Sequence, residues 1–290
     1  MLLRTQRLTK DYGRYRALDE LDLEVAPGEV FGLLGPNGSG KTTALRLMLG
    51  FLRPTSGHAS IGGHDCWSDS VAARRQVAYL PGELRLYENM TGRQLIHFLW
   101  GLRGVAPHGD LADLARRFDI DLDRPLRNLS SGMKRKVALL QTLLLRTPLV
   151  IMDEPSNALD PTMRDELLEQ VRLCKERGQA VLFSSHVLSE VQEVCDRVAI
   201  LRKGRLVHQQ ALAELRHGRL VRAHCAGAIE PFPELEGLQV LEATPDRFTL
   251  EMTGPLPELL RWLARQPVTG LHIEPLGLTA IYARYHGGPE

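Results

Sequence analysis

The fold of this 290-residue chain is decided by the stretch Gly35-Pro36-Asn37-Gly38-Ser39-Gly40-Lys41-Thr42. It fits the pattern G-x-x-x-x-G-K-[ST], in which a glycine-rich loop wraps the phosphates of a nucleoside triphosphate. We expect Lys41 to reach the β- and γ-phosphates and the hydroxyl of Thr42 to bind Mg²⁺. The alternative is a chance match in a glycine-rich turn, and the flanking sequence bears on that choice.

Both flanks of the loop have the pattern that a phosphate site needs. The apolar run Val30–Leu34 predicts a buried strand before the loop. After it, Leu45, Met48, Leu49 and Leu52 recur at helical spacing and predict one face of a helix. Glycines let the backbone curl so that N–H groups point inward, and the helix N-terminus adds a partial positive charge. The context favours a triphosphate site, without separating ATP from GTP.

A second signal follows another apolar run, Leu149–Met152, which leads directly into Asp153 and Glu154. A carboxylate at the end of a buried strand can hold Mg²⁺ through water beside Thr42, as phosphoryl transfer requires. The adjacent Glu154 is suited to polarise the attacking water. The alternative is a solvated turn before Pro155, and the phosphate loop favours the catalytic interpretation.

Two further stretches carry weaker signals. Ser130-Ser131-Gly132 precedes a predicted helix, so that either serine could be an ordinary N-cap. The basic run Lys134–Lys136 lies at the start of that helix, against the helix dipole, and indicates an anionic partner or simply a solvated first turn. His186 follows the predicted strand Ala180–Phe183, at the strand end where ligands bind in α/β sheets. A structural or surface role is the alternative for this histidine.

The order of the predicted elements indicates the fold class. Alternating apolar and polar positions in residues 1–33 predict antiparallel strands, and residues 84–147 have a helical pattern. From residue 149 onward strands alternate with helices, which predicts a mostly parallel sheet. The sequence therefore predicts an α/β fold with a P-loop ATPase core in residues 1–215, including an antiparallel β subdomain and a helical subdomain at about 84–147. Recurring prolines and short elements predict a small accessory α+β domain in residues 216–290.

Composition excludes several classes of protein. The net charge of +1 gives no support to a protein that binds nucleic acid by neutralising its phosphates, so we expect no nucleic-acid partner. The four cysteines are widely scattered and suit neither a disulfide framework nor a zinc site. The N-terminus lacks a signal-peptide core, and the most apolar stretch, Val137–Met152, is interrupted and too short to cross a bilayer. We therefore expect a cytoplasmic protein that reaches a membrane only through a partner.

Taken together, these motifs resemble a known family over roughly residues 1–210. In order and spacing they resemble the nucleotide-binding subunit of ABC transporters through Tyr12, Gly35–Thr43, Leu129-Ser130-Ser131-Gly132, Leu149–Glu154, Ala158-Leu159-Asp160 and His186. The Leu-Ser-x-Gly signature between the phosphate and carboxylate motifs is specific, because other P-loop kinases and GTPases lack it.

The resemblance implies a site shared by two copies of the chain, which sandwich two ATP molecules with Mg²⁺. Tyr12 would stack on adenine, and Ser130 and Gly132 of the other copy would cap the γ-phosphate. Asp160 would couple the two sites across the interface. The implied catalytic residues are Glu154 as base, His186 and Lys41, and the implied metal ligands are Thr42 and Asp153. The implied nucleotide-binding residues are Tyr12, Gly35, Pro36, Asn37, Gly38, Ser39, Gly40, Lys41, Thr42, Thr43, Ser130, Ser131, Gly132 and Asp160.

The chain departs from the family pattern at two positions. Gly82 holds the place where members of the family usually have a glutamine that touches Mg²⁺ and the membrane partner, which makes Glu83 the candidate metal ligand. Met133 stands where the signature usually ends in glutamine. These variants, with the small C-terminal domain, resemble the exporter branch that serves drugs, antibiotics or lipids.

We therefore expect an ATP-hydrolysing subunit that dimerises on ATP and powers transport, by export, through a separate transmembrane permease at the inner face of the cell membrane. One alternative is a soluble ATPase of the same family that acts on a ribosome or nucleic acid; such relatives carry tandem cassettes or long coiled coils, and this chain shows neither pattern. Another is a P-loop kinase or GTPase, which needs an acceptor pocket or a guanine-reading Asn-Lys-x-Asp motif. For residues 216–290, dimer stabilisation, sensing of a regulator and contact with the membrane subunit all stay open.

Overall fold

The computed structural model describes residues 1–104 and 110–286, which form two compact units, Met1–Gln209 and the part from Gln210 onward. The strands are β1 (Leu3–Tyr12), β2 (Tyr15–Val25), β3 (Val30–Leu34), β4 (Ser56–Ile61), β5 (His64–Asp65), β6 (Val77–Leu80), β7 (Leu149–Asp153), β8 (Ala180–Ser185), β9 (Arg197–Arg202), β10 (Arg205–Ala211), β11 (Arg219–Cys225), β12 (Leu238–Ala243), β13 (Arg247–Met252) and β14 (Val268–Pro275). The helices are α1 (Lys41–Met48), α2 (Ser70–Arg75), α3 (Gly92–Arg103), α4 (Leu111–Arg117), α5 (Ser131–Leu143), α6 (Pro161–Glu176), α7 (Leu188–Val194), α8 (Leu212–His217), α9 (Pro257–Leu263) and α10 (Leu278–His286).

A six-stranded sheet with the order β10-β9-β3-β8-β7-β6 positions the site. Strand β3 runs parallel to β8 and β9, and β7 runs parallel to β6 and β8. Every residue of β3, β7 and β8 is buried, which is why their sequences are continuous apolar runs instead of alternating ones. The loops that follow these three parallel strands therefore meet at one edge of the sheet.

A second sheet, with the order β2-β1-β4-β5, covers α1 from the other side. Strand β1 pairs antiparallel with both β2 and β4, as the alternating pattern of residues 1–33 predicts. Helix α1 contacts β2, β4 and β7, so it lies between the two sheets. One buried cluster joins Leu3 and Leu21 of the antiparallel sheet to Leu45 of α1 and Ile151 of the core sheet.

Helix α1 is shorter than its apolar pattern predicts, because it ends at Met48 while the predicted stripe continues to Leu52. The cause is Gly50, whose φ of 65° is left-handed and ends the helical backbone. A Cβ at this position would lie 1.9 Å from the carbonyl oxygen of Cys66, so no other residue fits the turn. Leu52 still packs against the core, from the segment after the helix.

The helical region lies in sequence between strands β6 and β7. Its central helix is α5, which contacts α3, α4 and β6. Helix α3 begins with a capping box: Thr91 Oγ1 accepts from Gln94 N at 3.2 Å, and Thr91 N donates to Gln94 Oε1 at 3.0 Å. Part of the predicted helical subdomain, residues 105–109, lies outside the described residues.

The second compact unit has its own antiparallel sheet, in the order β12-β13-β11-β14. Helix α9 closes its core, where Phe248, Leu250, Leu259 and Trp262 are buried together. The unit begins at Gln210, ahead of the predicted boundary at residue 216. Across the ranges that the structure describes, no helix is both long and apolar enough to cross a membrane.

Candidate nucleotide site

The phosphate loop follows β3 and ends where α1 begins at Lys41. Gly35 has a φ of 156° and Gly40 a φ of 106°, values that favour glycine. A Cβ on Gly35 would lie 2.5 Å from the carbonyl oxygen of Leu201, and one on Gly40 would lie 2.7 Å from that of Ala17. The loop is therefore pressed against neighbouring backbone, which explains these two motif glycines by close packing as well as by conformation.

Lys41 is 6% exposed, and its ammonium is held inside the curl of the loop. Nζ donates to the carbonyl oxygens of Gly35 at 2.6 Å and Pro36 at 3.3 Å. It also lies 3.2 Å from Glu154 Oε1. This last contact is a charge pair without an aligned hydrogen bond, since Oε1 has no hydrogen-bond partner among the described residues. A fixed positive charge thus lies where the motif requires one for phosphate oxygens.

Asp153 is the buried last residue of β7, and both of its carboxylate oxygens are used. Oδ2 accepts from Thr42 Oγ1 at 3.0 Å, and Oδ1 accepts from Ser184 Oγ at 2.6 Å. The parallel register that pairs Asp153 with Ser184 places this serine. The two side-chain atoms that meet here, Thr42 Oγ1 and Asp153 Oδ2, are both oxygens. Oxygen is the ligand atom that Mg²⁺ prefers. The pair therefore fits the predicted metal site.

Gly82 lies directly against this carboxylate, since a Cβ on it would be 3.0 Å from Asp153 Oδ2. The adjacent Glu83 is exposed and lines a cavity of about 500 Å³ together with Thr42, Asp153 and Glu154. The role of Glu83 as a metal ligand stays a prediction. Tyr79 lines the same cavity, where burial and the charge of Asp153 raise the pKa of its phenol to about 12.

Glu154 leaves the strand with a left-handed backbone, φ 48°, instead of continuing the pleat. Its N–H donates to the hydroxyl of Ser184 at 3.0 Å and to the carbonyl oxygen of the same residue at 3.2 Å. These bonds stabilise a conformation that a non-glycine residue rarely adopts. Glu154 Oε2 contacts Nδ1 of the half-exposed His186 at 2.7 Å. The structure thus brings the two predicted catalytic residues Glu154 and His186 together, with Lys41 on the other carboxylate oxygen.

Tyr12 and the phosphate loop enclose one cavity of about 240 Å³. Its lining residues are Tyr12, Tyr15, Ala17, Pro36, Asn37, Gly38, Ser39, Gly40, Lys41, Thr42, Thr43 and Glu154. Sequence reasoning missed Tyr15, although the signal was available: it is the cross-strand partner of Tyr12 across the Gly13-Arg14 turn. Buried Ser39 Oγ also has no hydrogen-bond partner among the described residues, and phosphate oxygens are the groups that would satisfy it.

Five of the predicted nucleotide-binding residues line neither this cavity nor the one beside Asp153. One is Gly35, whose carbonyl oxygen instead accepts from Lys41 Nζ. The other four are Ser130, Ser131, Gly132 and Asp160. Ser130 caps α5, accepting from Met133 N at 3.2 Å, and Asp160 caps α6, accepting from Met163 N at 3.0 Å. A Cβ on Gly132 would lie 2.6 Å from the carbonyl oxygen of Ala158, so the start of α5 packs on the loop before Asp160. In the described part of one chain, the signature therefore does not join the phosphate cavity.

Two residues in the basic start of α5, Lys134 and Arg135, have partners within the chain. Lys134 Nζ pairs with Glu88 Oε1 at 2.7 Å. Arg135, the middle residue of the basic run, is 5% exposed and donates to the carbonyl oxygens of Pro81 at 2.7 Å and Gly82 at 2.5 Å. Burial lowers the pKa of Arg135, and the charge of the Asp153 carboxylate opposes that shift.

The fold and the site together define a P-loop nucleoside triphosphatase. A phosphate loop, a buried lysine, a hydroxyl–carboxylate pair for a divalent cation and a carboxylate–histidine pair meet at the carboxyl edge of one parallel sheet.

Comparisons with known proteins agree with this class and narrow it. The family model for ABC transporters matches residues 18–157. YhaQ of Bacillus subtilis (strain 168), an uncharacterized ABC transporter ATP-binding protein, is 33% identical over 261 residues, 87% of each chain. The linearmycin resistance ATP-binding protein LnrL of the same organism is 30% identical over 213 residues, 71% of this chain and 68% of LnrL.

Solved structures give the same result. The structure of an ATP-binding subunit of an ABC transporter is 32% identical, with a TM-score of 0.69 over 74% of this chain and 92% of that one. An ATP-binding cassette in a dimeric post-hydrolysis state with ADP and Pi shares the fold at 19% identity, with a TM-score of 0.65 over 72% of this chain and 98% of that one.

The chain belongs to the ATP-binding subunits of ABC transporters. The predicted family, the α/β P-loop fold, the ATPase activity and its coupling to transport are confirmed. The roles of individual site residues, the homodimer and the docking of the permease are taken up as proposals below.

Proposed function

We propose that this ATPase works as a head-to-tail homodimer in which each ATP is held by one copy and capped by the other. The observation that carries the proposal is the separation of the signature from the phosphate cavity within one chain. Ser130 and Ser131 are exposed at the start of α5, where the first N–H groups of the helix have no intrahelical partner. The Ser130 hydroxyl oxygen accepts a hydrogen bond from Met133 N in its own helix. The hydroxyl proton is therefore available for donation to a phosphate oxygen. A second copy supplies the phosphate that these donors fit.

Within each site, the chain's residues divide the work. Tyr12 stacks on the base, and the loop N–H groups with Lys41 hold the phosphates. Thr42 and Asp153 would hold Mg²⁺, which when bound would supply positive charge to the transferring phosphate. Glu154 orients the attacking water and accepts its proton. His186, bonded to Glu154, fixes that carboxylate and contacts the γ-phosphate, while Asp160 couples the two sites across the interface.

We place the permease contact on an exposed apolar patch formed by Tyr87, Phe98 and Leu102. Tyr87 is 60% and Leu102 70% exposed, and the rings of Tyr87 and Phe98 meet edge to face at 5.8 Å. Contiguous exposed apolar side chains typically mark protein–protein contacts. The patch follows Gly82 in the sequence, and Gly82 lies against the Asp153 carboxylate. A partner docked on the patch would therefore be linked to the proposed metal site through one short segment.

The patch also supports a location at the inner face of the cell membrane, bound through the permease. A relative named for linearmycin resistance supports export of drug-like or antibiotic substrates over import.

Trapping the dimer tests this proposal. Glu154→Gln keeps the size of the side chain but removes the base, so ATP is bound and not hydrolysed. We expect this variant to elute as a dimer with saturating ATP and Mg²⁺ and as a monomer without nucleotide. The control is the double variant that adds Lys41→Ala, which should lose ATP binding and stay monomeric. A Glu154→Gln variant that binds ATP and remains monomeric would refute the shared site.

For the patch, Tyr87→Glu should abolish co-purification with the permease while ATP affinity stays unchanged. Val71→Glu is the matched control, because Val71 is 61% exposed outside the patch. Equal retention of the permease by both variants would place the contact elsewhere.

A further inference from the structure

Glu190 is a buried carboxylate to which the proposed mechanism gives no role. It lies in the first turn of α7 and is 4% exposed. Oε2 accepts from Ser156 Oγ at 2.8 Å and from Ser185 Oγ at 3.3 Å, while Oε1 is buried without a hydrogen-bond partner among the described residues. The ion pairs of residues 1–104 and 110–286 include none with Glu190. Burying a carboxylate without a cation costs folding free energy, so a carboxylate at this place needs an explanation. Its two hydroxyl contacts indicate what it does.

The two serines belong to the two segments that carry the catalytic pair. Ser156 follows Glu154 by two positions, on the loop that leads to Asp160. Ser185 is the residue immediately before His186, and its Oγ also accepts from Val187 N at 2.9 Å. Glu190 therefore links both segments behind the point where Glu154 Oε2 meets His186 Nδ1 at 2.7 Å.

Helix α7, which carries Glu190, is packed tightly against the core sheet. A Cβ on Gly32 would lie 2.6 Å from Val191 Cγ1 and 3.0 Å from Cys195 Sγ, so the helix sits directly on β3. Strand β3 is the strand that carries the phosphate loop. The carboxylate of Glu190 is thus held relative to the phosphate site by packing, and its two hydrogen bonds transmit that position to the segments of Glu154 and His186.

We propose that Glu190 is a positioning residue that holds Glu154 and His186 in register for attack on the phosphate. It acts through Ser156 and Ser185 and touches neither nucleotide nor water in the reaction. The inference rests on the proposed function of Glu154 as base. Displacing a reacting group by about 1 Å can cost about 100-fold in rate, so two hydrogen bonds at this place control turnover more than binding.

The test separates turnover from ATP binding. We expect Glu190→Ala to lower kcat about 10- to 100-fold, with the Kd for ATP, measured by calorimetry, within about twofold of wild type. Glu190→Gln should recover most of the lost kcat, because its amide oxygen still accepts from one hydroxyl. The matched control is Glu193→Ala on the same helix, which removes an exposed pair with Arg172 and should leave both quantities unchanged.

Ser156→Ala keeps the test decisive if Glu190→Ala does not fold, because it removes a single hydroxyl. It should lower kcat in the same direction at unchanged ATP affinity. The variant that combines Glu190→Ala with Ser156→Ala should lose little more kcat than Glu190→Ala alone, because both substitutions break the same hydrogen bond. Wild-type kcat in Ser156→Ala, or a loss of kcat matched by an equal loss of ATP affinity, would overturn the inference.

The two hypotheses fail in different ways. If Glu154→Gln still hydrolyses ATP at the wild-type rate, the proposed function fails, and the assignment to Glu190 fails with it. If Glu154→Gln is inactive while Glu190→Ala and Ser156→Ala both turn over normally, only the role of Glu190 is refuted.

Discussion

Replacing Arg135 with methionine tests how helix α5 is joined to the segment beside the predicted metal site. The guanidinium is buried and forks onto the carbonyl oxygens of Pro81 and Gly82, at 2.7 and 2.5 Å. Methionine keeps the apolar stem and removes both hydrogen bonds. Because Gly82 lies against the Asp153 carboxylate, the change also releases the backbone beside that carboxylate.

The expected loss of stability follows from the two carbonyl oxygens that are left without a hydrogen-bond donor. Each buried acceptor left without its donor costs about 1–3 kcal/mol, and relief of the buried charge returns part of that cost. We expect the free energy of unfolding to fall by about 2–4 kcal/mol, a large share of the roughly 5–15 kcal/mol typical of a domain. For a unit of this size the melting temperature should drop by roughly 4–16 °C.

Urea unfolding followed by circular dichroism measures the loss. The control is Lys134→Met, one residue away, which breaks an exposed pair with Glu88 and should change the free energy of unfolding little. Arg135→Lys should recover only part of the stability, because one ammonium cannot reproduce the planar fork. An Arg135→Met variant no less stable than Lys134→Met would refute the reasoning.

Three further expectations concern the loop, a buried phenol and the charge of the chain. Gly35→Ala should weaken ATP binding about 5- to 150-fold in calorimetry, because its Cβ would lie 2.5 Å from the carbonyl oxygen of Leu201 and strain the loop; unchanged affinity would contradict the close packing. The pKa of Tyr79 is raised from 10.0 to about 12 in the fold, so its stabilising contribution is complete below pH 10 and is lost as the pH rises towards 12. Unfolding free energies should fall by about 2–3 kcal/mol more in wild type than in Tyr79→Phe over that range, and parallel pH profiles would refute the shift. With a net charge of +1, the chain should show no salt-sensitive binding to duplex DNA in fluorescence anisotropy, and a steep salt slope would contradict this.

The parts of the fold that the sequence predicts are those encoded by local patterns. The runs before Gly35 and Asp153 are continuous and apolar because their strands are buried on both faces, and the glycine spacing marks the loop between strand and helix. Sequence pattern alone therefore located the phosphate loop, the carboxylate pair and the parallel sheet. His186 was singled out because it directly follows a strand of that sheet, β8.

The contacts that sequence reasoning missed join distant segments of the chain. Arg135 turns inward to carbonyls of the Pro81–Gly82 segment, and nothing in the periodicity of its own helix indicates those acceptors. Glu190 looks like an exposed residue of a short helix until the folded chain brings Ser156 to it. Side-chain destinations of this kind are set by tertiary packing, which a single sequence does not display.

Cross-linking between two differently substituted chains tests the shared nucleotide site most directly. Asn37 of the phosphate loop and Ser131 of the signature are both exposed and would face each other only across a head-to-tail dimer. One chain would carry Asn37→Cys and the other Ser131→Cys, both with Glu154→Gln and with the partly buried Cys225 replaced by serine. After mixing and treatment with a short bismaleimide, we predict a product that joins one chain of each kind, formed only with ATP and absent when either variant is alone. Failure of the mixed product to form at saturating ATP would contradict the shared site.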